Sequence, residues 1–443
     1  MKIFLQHFSE KIRASAWTVP ASFAVLAIVA ANLSLWADGM FRDANLGWLD
    51  WIKPASAEGA ETLLSTIAAS MLAIAGVSFS SIMVTMTLAS QQFGPRLLRN
   101  FIKDKLNQVV LGALIGTFIF CIFILRGIET VDGAISVPQL STVLALSLAL
   151  ICLGLFIRFV HHILNQIQAE EVCADAYQVF EESIDTIFPS DDEDSTEHRV
   201  TDNELEGWKI IAGKTGYVQA VNITGLVALA QKYDAVFMTN RRAGHFISKG
   251  QAVVTVATGP DLKDVEEDLI AEVQKSFFVG SVRTPEQDYE YGIRQLVEVA
   301  LRALSPGVND PFTAMNCVDY LGAGIQEAFS RSLPGSIHRD EEGEIRVFSW
   351  PSSYRSIVES AVNQIRQAAY DKCDVSCHLL EMLTEVALVA EKKEQQEALY
   401  LQARLINQDT LSTLHNEHDC EAIRSRFVNF LTSCHLIEPF ESD

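Results

Sequence analysis

Two histidine–cysteine clusters are the first groups that could do chemistry: Cys373-x-x-x-Cys377-His378 and His415-Asn416-Glu417-His418-Asp419-Cys420. Thiolates and imidazoles are ordinary zinc ligands. Both clusters lie in amphipathic helical sequence, and neither has the usual paired spacing of a structural zinc site, so no metal is expected. The eight cysteines, at 121, 152, 173, 317, 373, 377, 420 and 434, form no dense framework, which suits a reducing compartment. No phosphate-binding loop, G-x-S-x-G elbow, H-E-x-x-H pair or dinucleotide fingerprint occurs. The chain is therefore not read as an enzyme, and no catalytic residue or cofactor is assigned.

Hydroxyl groups come next. Thr62–Gln92 contains no ionisable residue, yet Ser65, Thr66, Ser70, Ser78, Ser80, Ser81, Thr85, Thr87, Ser90, Gln91 and Gln92 punctuate it. At about 100° per residue, Ser78, Ser81, Thr85, Ala89 and Gln92 share one narrow helical stripe. Ser80, Thr87 and Gln91 share a nearly opposite one. A helix surrounded by lipid does not keep polar groups on two opposed sides. The pattern predicts a central helix, with one stripe packed on a neighbour and the other facing a second subunit or a water-filled path. Hydroxyls bonded to their own i−4 carbonyls, which allow close helix packing, explain the same composition without a path.

Two turns carry the remaining candidates. Gly94-Pro95 ends the hydroxyl-bearing helix, because proline cannot continue the hydrogen-bond ladder. Pro95 can start an interfacial helix, Pro95–Leu106, whose Arg96, Arg99, Lys103 and Lys105 either anchor to phosphates or ring a pore mouth. Further on, Glu290, Arg294, Glu298 and Arg302 stand at i, i+4 spacing and read as a solvated ion-pair stripe. Ile293, Leu296, Val297, Ala300, Leu301 and Leu304 form the buried face behind it. Ser305-Pro306-Gly307 stops that helix, Asn309 or Asp310 caps the next, and Pro311 takes its first position. This is a tight helix–turn–helix; Ser305, Asn309 and Asp310 are also the candidate turn for a small-molecule or ion ligand.

Two unlike parts of the chain must position these groups. Residues 1–160 hold 11 Lys and Arg against 9 Asp and Glu; the rest of the 443-residue chain holds 23 against 47. A near-neutral apolar block followed by an acidic polar one reads as a membrane region and a soluble region. So acidic a surface repels nucleic acid, which is excluded as a partner. Four stretches are long and apolar enough to span a bilayer: about 17–36, 62–92, 107–125 and 139–157. The first, although preceded by Lys2, Lys11 and Arg13, ends in Asn32-Leu-Ser-Leu-Trp36 without a small-x-small cleavage site and is expected to be retained. No Asp, Glu, Lys, Arg or His lies within these stretches, which argues against a proton-coupled pump but not against a passive pore. The basic N-terminus and residues 93–106 belong inside and the acidic residues 37–61 outside, so both termini are expected in the cytoplasm. The third span adds Gly112-x-x-x-Gly116, a close-packing motif. The fourth continues past Arg158 and His161-His162 as a helix towards Pro189, and residues 161–207 end in an acidic linker, Asp191-Asp-Glu-Asp194.

Residues 208–260 change to short strand-like runs punctuated by Gly216, Gly225, Gly244 and Gly250. The phrase Ala243-Gly-His-Phe-Ile-Ser-Lys-Gly-Gln251 resembles the glycine-bounded turn of small biotinyl/lipoyl-like barrel-sandwich domains. The candidate tip, Thr239-Asn240-Arg241-Arg242, has no lysine to modify, which favours an assembly or sensing module over a swinging carrier. Residues 261–443 read as helical. The expected fold class is a multi-pass α-helical membrane domain followed by a cytoplasmic α+β region.

Ser90-Gln-Gln-Phe-Gly-Pro-Arg96 and Ala303-Leu-Ser-Pro-Gly-Val-Asn-Asp-Pro311, followed by Thr313-Ala314, stand out together behind the four spans. The pair resembles the bacterial predicted-membrane-protein family known as domain of unknown function 2254, over roughly residues 10–435. The resemblance implies a bacterial inner membrane and no particular activity. The leading expectation is a homo-oligomeric channel-like protein with its second helix near the central path, with membrane lipids and an ion or small ligand as further partners. The alternative is a membrane-anchored sensor or scaffold whose acidic domain binds a ligand or protein.

Overall fold

The computed structural model describes residues 17–40, 56–93, 104–131, 134–136, 138–165, 168–189, 207–258, 267–350 and 352–434. The chain divides into two compact units, Met1–Gln168 and Ala169–Asp443.

The first unit is a bundle of four helices long and apolar enough to cross a membrane: α1 (Thr18–Met40), α2 (Ala57–Phe93), α3 (Lys105–Arg126) and α4 (Gln139–Asn165). A short antiparallel hairpin, β1 (Glu129–Val131) and β2 (Ala134–Ser136), lies between α3 and α4. At 37 residues α2 is about 55 Å long, well beyond the ~30 Å hydrocarbon layer. The expectation that α2 is central is corrected within the bundle. Over its most apolar segment α3 is 56% buried and α2 only 28%. The reason is side-chain size. Gly112 and Gly116 leave α3 without side chains where α1 crosses, so the Phe23 ring and backbone occupy that space; a Cβ at Gly112 would lie 3.0 Å from the ring. Buried clusters on both ends of α3 then join it to α2 and α4 through Leu64, Phe120 and Ala145, and through Ile82, Leu114 and Phe159.

Polar side chains close the bundle at its two ends. Asp38, in the last turn of α1, accepts from the backbone N–H of Leu140 at 2.8 Å and of Ser141 at 2.9 Å. It therefore caps the N-terminus of α4 from another helix, and the Ser141 hydroxyl, 2.9 Å from that of Ser34, adds to the junction. At the opposite end Asp104 caps α3 through the Asn107 N–H at 2.9 Å, and its other oxygen meets His162 Nε2 at 2.8 Å.

The second unit begins with α5 (Ala169–Ile187), a helix separate from α4, so the expectation of one helix running from the fourth span to Pro189 is corrected. Strands β3 (Trp208–Ile211), β4 (Gly216–Val221), β5 (Val236–Thr239), β6 (Phe246–Ile247) and β7 (Ala252–Thr258) follow, with α6 (Ile223–Lys232) inserted after β4. Beyond residue 260 the chain is not purely helical. After α7 (Glu267–Lys275), β8 (Phe277–Gly280), β9 (Ile337–Arg339) and β10 (Ile345–Phe348) complete two sheets, ordered β3-β7-β5-β10-β9 and β6-β4-β8. All pairings are antiparallel except β10 beside β5. Val218, Leu226, Phe237, Ile247, Val254 and Val347 fill the core between them.

The rest of the unit is helical: α8 (Glu290–Ala303), α9 (Pro311–Phe329), α10 (Tyr354–Ala369), α11 (Cys373–Ala387), α12 (Lys393–Thr413) and α13 (Glu417–Ser433). Phe180 of α5 is fully buried between two glycines. A Cβ at Gly292 of α8 would lie 2.6 Å from the Phe180 backbone, and one at Gly324 of α9 would collide with its ring. Nearby, the buried thiols of Cys173 and Cys317 touch at 3.3 Å between α5 and α9.

Candidate functional site

The first polar stripe of α2 is buried only in part. Ser78, Thr85 and Ala89 are buried on the face that carries Met71, Ala75 and Ile82 into the α3 and α4 contact. Ser81 beside them is half-buried and Gln92 is exposed. On the opposite side Ser80, Thr87 and Gln91 are exposed, in line with Ala69, Ala73 and Gly76. A Cβ at Gly76 would meet nothing within 4 Å. The Ser78 and Thr87 hydroxyls both donate to their own helix, to the carbonyls of Ile74 and Met83, each at 2.8 Å. Their protons are thus committed, and what Thr87 offers outward is an acceptor oxygen beside small, uncharged neighbours. Gly94, Pro95, Arg96 and Arg99 lie outside the described residues.

The Ser305–Asp310 turn is occupied by its own bonds. Ser305 Oγ donates to the Arg302 carbonyl at 2.6 Å, and the Ser305 carbonyl accepts from Val308 and Asn309 N–H. Asn309 takes a left-handed φ of 51°, and the Asp310 N–H returns to the Ala303 carbonyl at 2.8 Å. The Asp310 carboxylate caps α9 by accepting from the N–H and hydroxyl of Thr313. These bonds account for the helix–turn–helix.

In the cysteine clusters, Cys373 and Cys377 Sγ lie 3.9 Å apart on one face of α11, and His378 turns away to Asp319 at 2.6 Å. Burial pushes the Cys377 thiol up to about 12. Among the described residues no three His, Cys, Asp or Glu side chains gather as a metal site.

One cluster escaped the sequence reading. Glu290 was expected on a solvated stripe; the structure buries it beneath the β5–β6 connection, where Arg242 reaches it at 2.6 Å and Arg294 at 3.1 Å. Asp288, with no exposed surface, pairs with Arg283 at 2.6 Å. Arg242 also lies 4.8 Å from the Tyr289 ring centroid. Gly244, at φ +88°, gives this clasp its room, since a Cβ there would sit 2.5 Å from the Asp288 carboxylate and collide with Arg283. Arg242 and Glu290 are 48 residues apart in sequence, and the i, i+4 spacing of Glu290 and Arg294 accounted for both without a third member.

Burial raises the Asp288 carboxyl above its ordinary range despite Arg283 beside it. Burial acts the same way on Glu290, but Arg242 and Arg294 outweigh it, so that carboxyl is held low. Burial and the Arg242 charge lower His245, which packs edge-on to Trp350, from the usual 6.5 to about 4. The unfolded chain then takes up that proton near 6.5 while the fold refuses it until about 4. Stability is complete above the higher value and is lost as pH falls towards the lower one. His245→Gln is expected to flatten the slope of urea midpoint against pH between about 6.5 and 5, where carboxylates contribute least.

No solved structure matches the chain significantly. Uncharacterized proteins of Mycobacterium bovis and Mycobacterium tuberculosis are each 29% identical over 365 residues, covering 80% of this chain and 68% of theirs. The model of the family described as predicted membrane protein (DUF2254) matches residues 13–385. With four apolar helices packed as one bundle and the family's pattern running through both units, the chain is a member of that family of membrane proteins.

Proposed function

We propose that the protein is a homo-oligomeric, channel-like component of the bacterial inner membrane, with the exposed face of α2 turned towards the central axis. The observation that carries this is the outward stripe Ala69, Ala73, Gly76, Ser80, Thr87 and Gln91, small or polar and free of charge. Lipid favours large apolar side chains, and α2 has them on its flanks at Val77, Met83 and Val84. A small-residue stripe instead lets another helix come close, and uncharged acceptor oxygens along it suit a narrow passive path. The loop charges support cytoplasmic termini. The β5–β6 tip, pinned by Arg242 to Glu290 and by Asn240 to Thr255, supports an assembly module over a swinging carrier.

The test combines cross-linking and conduction. Gly76→Cys in membranes should give a disulfide-linked dimer on mild oxidation, whereas Leu150→Cys, on the exposed face of α4, should not. The native cysteines, seven buried and Cys373 half-buried, give little background. Purified protein in planar bilayers should then pass current. Silence across ions, voltage and tension rejects the conducting role; no cross-link at Gly76 rejects the assembly.

A further inference from the structure

Between the N-terminal end of α2 and α4 an open groove of about 600 Å³ runs along the surface of the bundle. Its rim is polar: Ser56, Glu58, Thr62 and Thr66. Its floor is apolar, made by Leu63 and Ile67 of α2 and Leu146 of α4. The two threonine hydroxyls of the rim have spent their protons. Thr62 Oγ1 donates to the Glu58 carbonyl at 2.7 Å and Thr66 Oγ1 to the Thr62 carbonyl at 2.6 Å. Ser56 Oγ accepts from the Gly59 N–H at 3.0 Å. Towards the groove the threonines turn lone pairs and Glu58 an exposed carboxylate, while Ser56 keeps its one hydroxyl proton, so the rim chiefly accepts and carries negative charge.

Such a rim calls for a cation rich in N–H donors, and the floor beneath it calls for a hydrocarbon chain. From Glu58 to Ile67 the helix advances about 14 Å, close to half of the ~30 Å hydrocarbon layer. With the carboxylate at the headgroup level, Leu63, Ile67 and Leu146 therefore lie at acyl depth within one leaflet. We propose that this groove binds one aminophospholipid, its primary ammonium on Glu58 and the threonine oxygens and one acyl chain along the apolar floor. An anionic headgroup is repelled by Glu58, and a trimethylated one keeps the charge but has no N–H to donate. The groove's lining at α2 runs from Ser56 to Ile67 and shares no residue with the stripe assigned to assembly, which begins at Ala69.

Full-length protein in detergent is titrated with phosphatidylethanolamine, phosphatidylcholine or phosphatidylglycerol of matched chains, and bound lipid is read by native mass spectrometry. Phosphatidylethanolamine should be retained about tenfold more than either rival, the scale of one charge-assisted hydrogen-bond set. Glu58→Gln should erase that preference while leaving the melting temperature unchanged. Leu146→Trp, which fills the floor, should lower retention of all three lipids. Glycerophosphoethanolamine, a headgroup without chains, should not compete. Equal retention of the three lipids, an unchanged preference in Glu58→Gln, or displacement by the chainless headgroup overturns the proposal.

Discussion

Arg283→Met is expected to cost the C-terminal unit about 3–5 kcal/mol, the range for removing one partner of a buried pair. Asp288 has no exposed surface and Arg283 supplies it with Nε at 2.7 Å and Nη2 at 2.6 Å. Without the guanidinium the carboxylate, which has no exposed surface, loses the partner that lies against it. Replacing both residues, as Arg283→Met/Asp288→Leu, removes the charge with its partner and should restore most of the loss. The single variant also removes the charge that opposes the burial-raised Asp288 carboxyl. A buried carboxyl whose folded pKa is raised is stabilised by its proton, so its fold weakens as pH rises through that value. The defect of Arg283→Met should thus be larger near about pH 8 than near about pH 5. Urea unfolding in detergent, followed by tryptophan fluorescence with Trp208 and Trp350 as reporters of this unit, measures both effects. A single variant no weaker than the double one would show that the pair is not the clasp.

Phe180→Ala should be comparably damaging, at about 3–5 kcal/mol for a fully buried aromatic ring. The ring lies where α5, α8 and α9 approach so closely that only glycine fits at 292 and 324. Gly324→Ala alone forces the ring out of its slot, an overpacking cost of about 1–3 kcal/mol or more. Combined with Phe180→Ala, however, the new methyl enters the space the ring has left. The double variant should be no less stable than Phe180→Ala alone, which makes the two changes strongly non-additive. Simple additivity in the same unfolding measurement would mean that the ring and the glycine are energetically independent.

What the sequence revealed follows the range of each signal. Span length and hydropathy are local, so the four apolar helices and their order could be read, although α2 starts earlier, at Ala57, and α4 runs on to Asn165 because charged or polar residues end an apolar run without ending the helix. Which apolar helix faces protein is not local. The hydroxyls of α2 drew attention to it, while the plainer Gly112 and Gly116 placed α3 at the centre. The stripe geometry of α2 was legible because angular position on one helix needs no partner: Ser78 and Thr85 went in, Ser80 and Thr87 stayed out. Strands β8, β9 and β10, of three or four residues, are too short to show a period of two, so the sheets' later strands were missed. The clasp was missed for a different reason. Glu290 already had a sufficient neighbour four residues away, and nothing in the spacing asked for Arg242 as well.

The Asp38 cap sets an order of events during synthesis. The carboxylate on α1 and the amides it holds at the start of α4 are 102 residues apart. At about 5–20 residues per second, roughly 5–20 s separate the arrival of the lock from that of its key. Helices α1, α2 and α3 can meet in the membrane before then, since Phe23 needs only Gly112 and Gly116 to seat against. The ring of contacts closes when the fourth helix enters, and a nascent chain halted before Gln139 carries a charged α1 terminus with no helix to hold. Assembly of the bundle is thus timed by its last span.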